Sequence, residues 1–246
     1  MLESLKEPAS DPTISQLSVW EDRILGASLS KKYRATDDRT RTQALYVVKY
    51  PQQTGPGLSS VACELICARI GQSLFVQPVC PPFAIADPLP GRDQRGFGSK
   101  VLEGYGGIKL DSKTDIEQVQ GIDSATLARI IVFHVWLVAD DAAILIHENG
   151  KDALSIDHGF FLMKWQNDTH QIEVYARLLA VIDEKSIESA LYELESIGEE
   201  RVRKAFKCLP EGWVADAKET GLQFLAKVIV QRKAEVRAKI GQMRAR

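Results

Sequence analysis

A lysine inside an apolar segment and a glutamate inside the next helical segment are the first residues that could do chemistry. Lys49 lies in YVVKY, and Glu64 follows fifteen residues later between apolar neighbours. A strand lysine can place its ammonium against nucleotide phosphates, and a helix carboxylate can hold that lysine in place. We therefore expect Lys49 and Glu64 to approach within salt-bridge distance. The alternative for each residue is a solvated position on a strand edge or a helix face.

Three aspartates flank a predicted hairpin. Asp140 and Asp141 precede it, and Asp157 follows it in the segment IDHG. Because a hairpin returns its two ends to the same edge, we expect Asp141 and Asp157 in one cleft. One carboxylate can then orient or deprotonate a hydroxyl while the other holds Mg²⁺ on a phosphate. The alternative is that the first two aspartates end a helix or turn and that Asp157 closes a strand.

Periodicity and turn residues predict the elements that must position these side chains. The β-branched and aromatic content of residues 43–50 predicts a strand, and Ser59 or Ser60 can cap a helix that runs to about Gln72. Residues 124–138 are apolar almost throughout, which favours a helix buried on most sides. Two short apolar segments within residues 143–156 flank Asn149-Gly150, which predicts a hairpin with a type I′ turn.

The remaining segments complete an α+β chain. We expect residues 1–20 to be a loose lead-in and the Gly- and Pro-rich residues 87–107 to cross between two lobes. Two helices are predicted, over about 185–208 and about 213–242, with Pro210 between them. This order suits one domain with a small β-rich N-lobe, about 20–95, and a larger helical C-lobe, about 108–246.

Composition narrows the class of protein. The 246 residues carry a formal net charge of -2, which argues against a nucleic-acid-binding protein. Cys63 and Cys67 have helical spacing, but no second Cys or His pair nearby has zinc-site spacing, so buried thiols are expected. The sequence has no long apolar span and no leader pattern at its N-terminus, which predicts a cytoplasmic protein without a membrane partner.

Taken in order, these segments resemble the HipA-like kinases, in particular their short stand-alone members, from about Ile24 to about Gln242. The segments that carry the resemblance are ILGAS as the loop over the phosphates, YVVKY as the strand with the lysine, CELICARIG as the following helix, GFGSK, FHVWLVADD as the run into the catalytic loop, IDHG as the metal-binding turn and CLPEGW as a late proline–tryptophan element.

The resemblance implies a two-lobed, protein-kinase-like phosphotransferase of the Ser/Thr type that uses ATP and Mg²⁺. It implies that Lys49 binds the ATP phosphates, that Glu64 anchors Lys49 and that Asp157 binds Mg²⁺. It implies Asp141 as the catalytic aspartate, with Asp140 as the second choice. The loop residues that would cover the phosphates with their backbone N–H groups are Gly26, Ala27 and Ser28.

The chain departs from the family pattern at the catalytic loop. Family members usually follow the catalytic aspartate with Arg-His and then a metal-binding asparagine, but Ala142 and Ala143 stand here and Asn149 belongs to the hairpin tip. Ala139 also replaces a usual asparagine, and His134 a usual aspartate. These departures predict weak or lost activity. The alternative is an inactive pseudokinase that acts as a protein-interaction module, with a partner that the sequence does not identify.

A third hypothesis concerns the basic C-terminal segment, residues 219–246. A basic helix can dock nucleic acid or an acidic partner, although a solvated face is the more common use of such a pattern. Its apolar residues have helical spacing and are expected in the core: Leu222, Leu225, Ile229 and Val236.

Overall fold

A computed structural model describes residues 11–21, 31–51, 57–111, 116–139, 142–159, 161–162, 169–215 and 219–246. Its strands are β1 Thr13–Glu21, β2 Lys31–Asp37, β3 Gln43–Lys49, β4 Gly57–Leu58, β5 Phe83–Ala86, β6 Gly96–Lys100, β7 Tyr105–Lys109, β8 Ala143–His147, β9 Ala153–Ile156 and β10 Val214–Ala215. Its α-helices are α1 Ser60–Ser73, α2 Ser124–Leu137, α3 Thr169–Leu179, α4 Glu184–Ser196, α5 Glu199–Ala205 and α6 Glu219–Arg244.

The chain divides into two compact units. The first contains Met1–Tyr50 and Phe83–Val101, and the second contains Pro51–Pro82 and Leu102–Arg246. Helix α1 therefore groups with the helical unit, although its sequence position falls within the expected N-lobe, about 20–95. The division into kinase lobes stays a prediction.

The first unit is a closed barrel of five strands in the order β1-β2-β3-β6-β5, in which only the β5–β1 pairing is parallel. Tyr33, Tyr46 and Val48 are among the side chains that fill it. The strand predicted over residues 43–50 is confirmed as β3. The loose lead-in predicted for residues 1–20 is wrong from Thr13 onward, because β1 pairs on both sides and buries Ile14 completely.

Strand β6 explains the glycines of the GFGSK segment. Within residues 87–107, predicted to cross between two lobes, the chain first forms β6, which pairs with both β3 and β5, and then passes to the second unit after Val101. Lys49 lies opposite Phe97 in that ladder. A Cβ added at Gly96 would lie 2.9 Å from the carbonyl oxygen of Lys49, so only glycine fits at this point of the strand.

The second unit is built around α2. Eleven of its residues are buried, which confirms the predicted buried helix. Asp123 caps its first turn by accepting the backbone N–H of Thr126 at 2.9 Å. Trp136 donates its indole N–H to the carbonyl of Ile229 at 2.8 Å, which ties α2 to α6. A three-stranded sheet in the order β7-β8-β9 completes this unit together with the short β4–β10 pair.

The hairpin predicted over residues 143–156 is confirmed as β8 and β9, but the type I′ turn is wrong. Of the central pair Asn149-Gly150 only Gly150 has a positive φ, at 69°. The Asn149 side-chain oxygen accepts the backbone N–H of Lys151 at 2.8 Å. This local bond favours a four-residue loop, which is commonly built around a type I turn.

The C-terminal helices differ from the prediction in their bounds. The single helix expected over about 185–208 is two helices, because Ile197 leaves α4 with extended backbone and buries its side chain. Helix α6 begins at Glu219 rather than near Trp213, because Val214–Ala215 pairs with Gly57–Leu58. Helix α3 was not predicted. Within the described residues, no helix is both long enough and apolar enough to cross a membrane.

The close approach at Gly96 gives a stability test. Gly96→Ala is expected to lower the free energy of unfolding by about 1–3 kcal/mol, because backbone of the neighbouring strand cannot move aside for the new methyl group. Gly106→Ala on β7 is the matched control, since its added Cβ would meet nothing within 4 Å. Urea unfolding followed by circular dichroism measures both. Equal changes in the two variants would contradict the assignment of a tight contact at Gly96.

Candidate functional site

Helix α1 carries Glu64 into the interior of the second unit. Ser59 caps the helix by accepting the backbone N–H of Ala62, as the sequence predicts. Ten of the fourteen residues in α1 are buried, so the helix has no solvated face for Glu64 to occupy. The glutamate is 2% exposed. A carboxylate at this depth needs donors from the protein, because its hydration has been lost.

The IDHG segment forms a turn with unusual backbone geometry directly after β9. Asp157 has a φ of 62°, in the left-handed region that a residue with a side chain seldom occupies. Gly159, two residues later, approaches the first turn of α1, where an added Cβ would lie 3.1 Å from Ser60 Cβ. The turn is therefore packed against the helix that carries Glu64.

Glu64 and His158 meet through two contacts. The backbone N–H of His158 donates to Glu64 Oε2 at 3.0 Å. The Nδ1 atom of the same histidine lies 3.4 Å from that oxygen. The structure thus brings together Glu64 and the turn that contains Asp157, two of the site residues predicted from the sequence.

A chain of buried polar groups continues from His158 into the core. Its Nε2 atom lies 2.8 Å from Ser155 Oγ, and that hydroxyl lies 2.6 Å from His134 Nε2. The chain continues to Tyr175, whose hydroxyl lies 3.2 Å from His134 Nδ1. Tyr175, His134, Ser155, His158 and Glu64, which we call the buried relay, come from α3, α2, β9, the IDHG turn and α1.

The partners allow a continuous set of proton positions along the buried relay. An ionised carboxylate can only accept, so Glu64 requires the proton of His158 on Nδ1. His158 Nε2 then accepts from Ser155. By the same logic Ser155 accepts from His134 Nε2–H, and His134 Nδ1 accepts from the Tyr175 hydroxyl. In this arrangement each of these contacts has one donor and one acceptor.

Aromatic rings enclose the two histidines. The Phe161 ring packs edge-on against His134 at 5.3 Å and against His158 at 4.9 Å between centroids. Phe133 makes a similar contact with His158 at 5.6 Å. Burial among these rings lowers the pKa of His134 to about 3, and the neighbouring His158 adds to that effect. His134 is therefore neutral at physiological pH.

Residues 205–215 fasten α1 at both ends. The Arg69 guanidinium donates to the carbonyl oxygens of Ala205 at 2.9 Å and Lys207 at 2.6 Å. At the other end the Ser59 backbone N–H donates to the carbonyl of Trp213 at 3.1 Å. The CLPEGW segment, quoted above for its resemblance, thus fixes the helix that carries Glu64.

The catalytic loop expected at Asp140 and Asp141 lies outside the described residues, and so does the expected phosphate loop at residues 26–28. The described flanks of the expected catalytic loop are the end of α2 and Ala142. Val138 ends α2 with a φ of 54°, a costly conformation for a β-branched residue. Ala142 is fully buried and its carbonyl accepts the Leu110 N–H at 2.8 Å.

Lys49 belongs to the first unit and Glu64 to the second, and their expected ion pair stays a prediction. Lys49 ends β3, as the sequence predicts. The sequence did not predict the roles of His134, Ser155 or Tyr175. A histidine in the otherwise apolar run of α2 was the available signal, because a buried imidazole needs hydrogen-bond partners.

The two cysteines with helical spacing are buried thiols, as expected. Cys63 and Cys67 are completely buried. Burial raises the pKa of the Cys63 thiol to about 12 and that of the Cys67 thiol well above its ordinary value. Over the described ranges, no group of three or more His, Cys, Asp or Glu side chains is arranged to hold a metal ion by itself.

The neutral state of buried His134 predicts a pH effect on stability. Between about pH 3 and about pH 6.5 the unfolded chain binds a proton at this histidine that the folded chain does not. Stability from this source is therefore present above pH 6.5 and lost as the pH falls. Its maximum slope is about 1.4 kcal/mol per pH unit.

The measurement compares unfolding of the wild type with that of His134→Gln as the pH is lowered. The polar groups that face His134 are Tyr175, Ser155 and His158. Carboxylates elsewhere in the chain titrate in both proteins. The difference between the two proteins isolates the histidine, and we expect the wild type to lose stability faster. Parallel curves would show that His134 binds its proton equally in the folded and unfolded states.

Comparisons with known proteins support the fold. No protein-family model and no curated protein matches the sequence. Among solved structures, the proinflammatory kinase CtkA of Helicobacter pylori is similar with a TM-score of 0.56 and 14% identity, over 94% of this chain and 98% of that one. The structure of hydra Fam20 with sugar is similar with a TM-score of 0.52 and 10% identity, over 95% of this chain and 86% of that one. At these identities the likeness concerns the fold alone, and the chain has a protein-kinase-like fold.

Proposed function

We propose that this chain is a HipA-like, nucleotide-binding protein in which ATP binds weakly and with Mg²⁺, and in which phosphoryl transfer is slow or absent. One observation carries the proposal: on a kinase-like fold, the buried Glu64 carboxylate holds the turn that presents Asp157. The sequence motifs that resemble the HipA-like kinases add the identity of the family and the roles of the residues.

Asp157 suits a magnesium site that a nucleotide completes. Magnesium prefers oxygen ligands and commonly takes one or two carboxylates together with substrate phosphates. Asp157 supplies such a carboxylate, and no ready-made cluster of metal ligands exists among the described residues. Bound Mg²⁺ would neutralise phosphate charge. The protein's own part is to keep the Asp157 carboxylate in place before the nucleotide arrives.

Lys49 would supply the other phosphate contact. It ends a barrel strand whose neighbour β6 is held close by Gly96, so the backbone at Lys49 is fixed on one side. A fixed ammonium at this position of a kinase-like fold binds the nucleotide phosphates as a point charge. We propose that Glu64, which the resemblance assigns to anchoring Lys49, also organises the metal-binding turn.

The alanines of the catalytic loop support weak catalysis. Ala142 is fully buried, so it presents no polar group where the family places arginine. Asn149 is poorly suited to be the missing metal ligand from within the hairpin tip, since its side-chain oxygen, the atom that would bind a metal, accepts the backbone N–H of Lys151 at 2.8 Å. Losing one positioning or electrostatic group commonly costs about 10²–10³ in rate. Two such losses leave turnover hard to detect.

The same observations favour a pseudokinase as the second candidate. If the Asp157 turn is retained for its packing alone, the chain is an interaction module with a protein partner. This candidate differs from the first in one property, the binding of nucleotide.

The C-terminal helix offers little charge for nucleic acid. Arg237 pairs with Glu188 at 2.6 Å and with Glu195 at 2.9 Å. Lys233 donates to the last carbonyls of α4, and Arg244 lies 3.9 Å from Glu184. Several cations of the C-terminal helix are therefore engaged in contacts with α4. The net charge of -2 also argues against binding to nucleic acid.

A thermal-shift titration tests nucleotide binding. We expect ATP with Mg²⁺, at about ten times its dissociation constant, to raise Tm by roughly 3–6 °C, and Mg²⁺ alone to have no effect. Asp157→Asn should abolish the part of the shift that requires Mg²⁺. Lys49→Ala should weaken binding with and without the metal, because a lost phosphate contact affects both complexes.

Matched controls separate these effects from general damage. Asp93→Asn changes an exposed loop carboxylate, and Lys100→Ala removes another lysine from the same barrel. Both should bind ATP as the wild type does. No shift at any ATP concentration would leave the pseudokinase candidate alone. Rapid turnover that is lost in Asp157→Asn and Lys49→Ala would instead establish an efficient kinase.

A further inference from the structure

We propose that Tyr175, His134 and Ser155 are positioning residues, which hold the IDHG turn in the backbone conformation that presents Asp157 to a Mg²⁺-bound nucleotide. The inference rests on the proposed function in one respect, the role of Asp157 as the metal ligand. Ser155 and Tyr175 lie outside the segments that carry the resemblance, and the resemblance assigns no role to His134.

The turn needs external support because its central residue is strained. A non-glycine residue at a φ of 62° is less stable than the same residue in right-handed or extended backbone. Such a conformation persists only when the surroundings fix it. The support acts on the next residue, His158. Its backbone N–H and Nδ1 contact Glu64, and its Nε2 contacts Ser155.

The imidazole of His158 works as a connecting piece between two fixed groups. Glu64 lies on one side, on a helix fastened at both ends. Ser155 lies on the other side, and its backbone N–H donates to the carbonyl of Val79 at 2.7 Å. A ring held from both sides cannot rotate about its own χ angles without breaking one contact. The backbone at Asp157 is therefore held indirectly through the side chain of its neighbour.

Packing alone does not require polar groups at these positions. Ser155, His134 and Tyr175 are each 0% exposed, in a region otherwise lined by Phe133 and Phe161. Apolar side chains of similar volume would fill the same space without a desolvation cost. Hydrogen bonds add what apolar contacts lack, a single orientation for each ring. We assign this role to the buried relay.

Tyr175 and His134 connect the IDHG turn, through Ser155 and His158, to two helices. Tyr175 lies on α3 and His134 on α2, and the Tyr175 hydroxyl lies 3.2 Å from His134 Nδ1. When that hydroxyl donates to Nδ1, the proton of the neutral His134 ring lies on Nε2 and donates to Ser155, so the hydroxyl hydrogen of Ser155 is available to His158. Removing the tyrosine hydroxyl should therefore loosen the turn without touching it.

Two variants and one control test the inference. Ser155→Ala removes the hydroxyl between the two histidines, and Tyr175→Phe removes the hydroxyl that contacts His134. Val174→Ala is the matched control: Val174 is 0% exposed beside Tyr175, so the variant loses core packing and keeps every hydrogen bond of the relay. The first readout needs no ligand. It is the hydrogen-exchange rate of the His158 backbone amide, whose N–H donates to Glu64.

We expect this amide to exchange about tenfold faster in Ser155→Ala than in the wild type, the factor that corresponds to one lost hydrogen bond. Tyr175→Phe should change it in the same direction. Val174→Ala should lower Tm without a selective change at His158. Unchanged protection in Ser155→Ala would overturn the inference, whether or not the wild type binds nucleotide.

The second readout is the ratio of ATP affinities with Mg²⁺ and with EDTA. A positioning role predicts that Ser155→Ala lowers this ratio about tenfold and leaves the affinity in EDTA unchanged, because only the metal-dependent contact uses Asp157. Equal losses in both conditions would mean general damage and would overturn the inference. If the wild type binds no ATP, the proposed function fails, and the exchange rate alone decides whether the relay holds the turn.

Discussion

A carboxylate that is 2% exposed must find partners inside the protein, and Glu64 finds two atoms of His158: the backbone N–H donates to it at 3.0 Å, and Nδ1 lies 3.4 Å away. This interaction joins α1 to the turn after β9, two segments that are far apart in the chain. Removing either partner would leave the other buried and deprived of that contact, which typically costs several kcal/mol. The fastening of α1 by residues 205–215 serves the same junction, because it fixes where the carboxylate lies.

The kinase-like fold and the depleted catalytic loop are compatible in physical terms. Binding a nucleotide requires a cation for the phosphates and an oxygen ligand for Mg²⁺, whereas transferring the phosphoryl group requires several groups held in productive geometry together. In the proposed function the second requirement is lost first, since a buried alanine at position 142 is compatible with packing and contributes nothing to charge stabilisation.

Elements with local causes were predictable from the sequence. The cap of α1 depends on Ser59 and the hairpin on the residues around Gly150, and both lie within a few positions of the elements they define. Strand β1 was missed because its pairing partners β2 and β5 are distant in sequence. The break at Ile197 was missed because the burial of that side chain, rather than a local breaker alone, turns the chain.

The sequence by itself determined the strand of Lys49, the helix of Glu64 and the hairpin that precedes Asp157, because propensity, capping and turn chemistry act between near neighbours in the chain. Only the tertiary structure decided that Glu64 meets His158 and that His134, Ser155 and Tyr175 continue the contact into the core. The physical reason is that a buried polar group is satisfied by whichever partner the fold brings to it, and that partner can lie anywhere in the sequence.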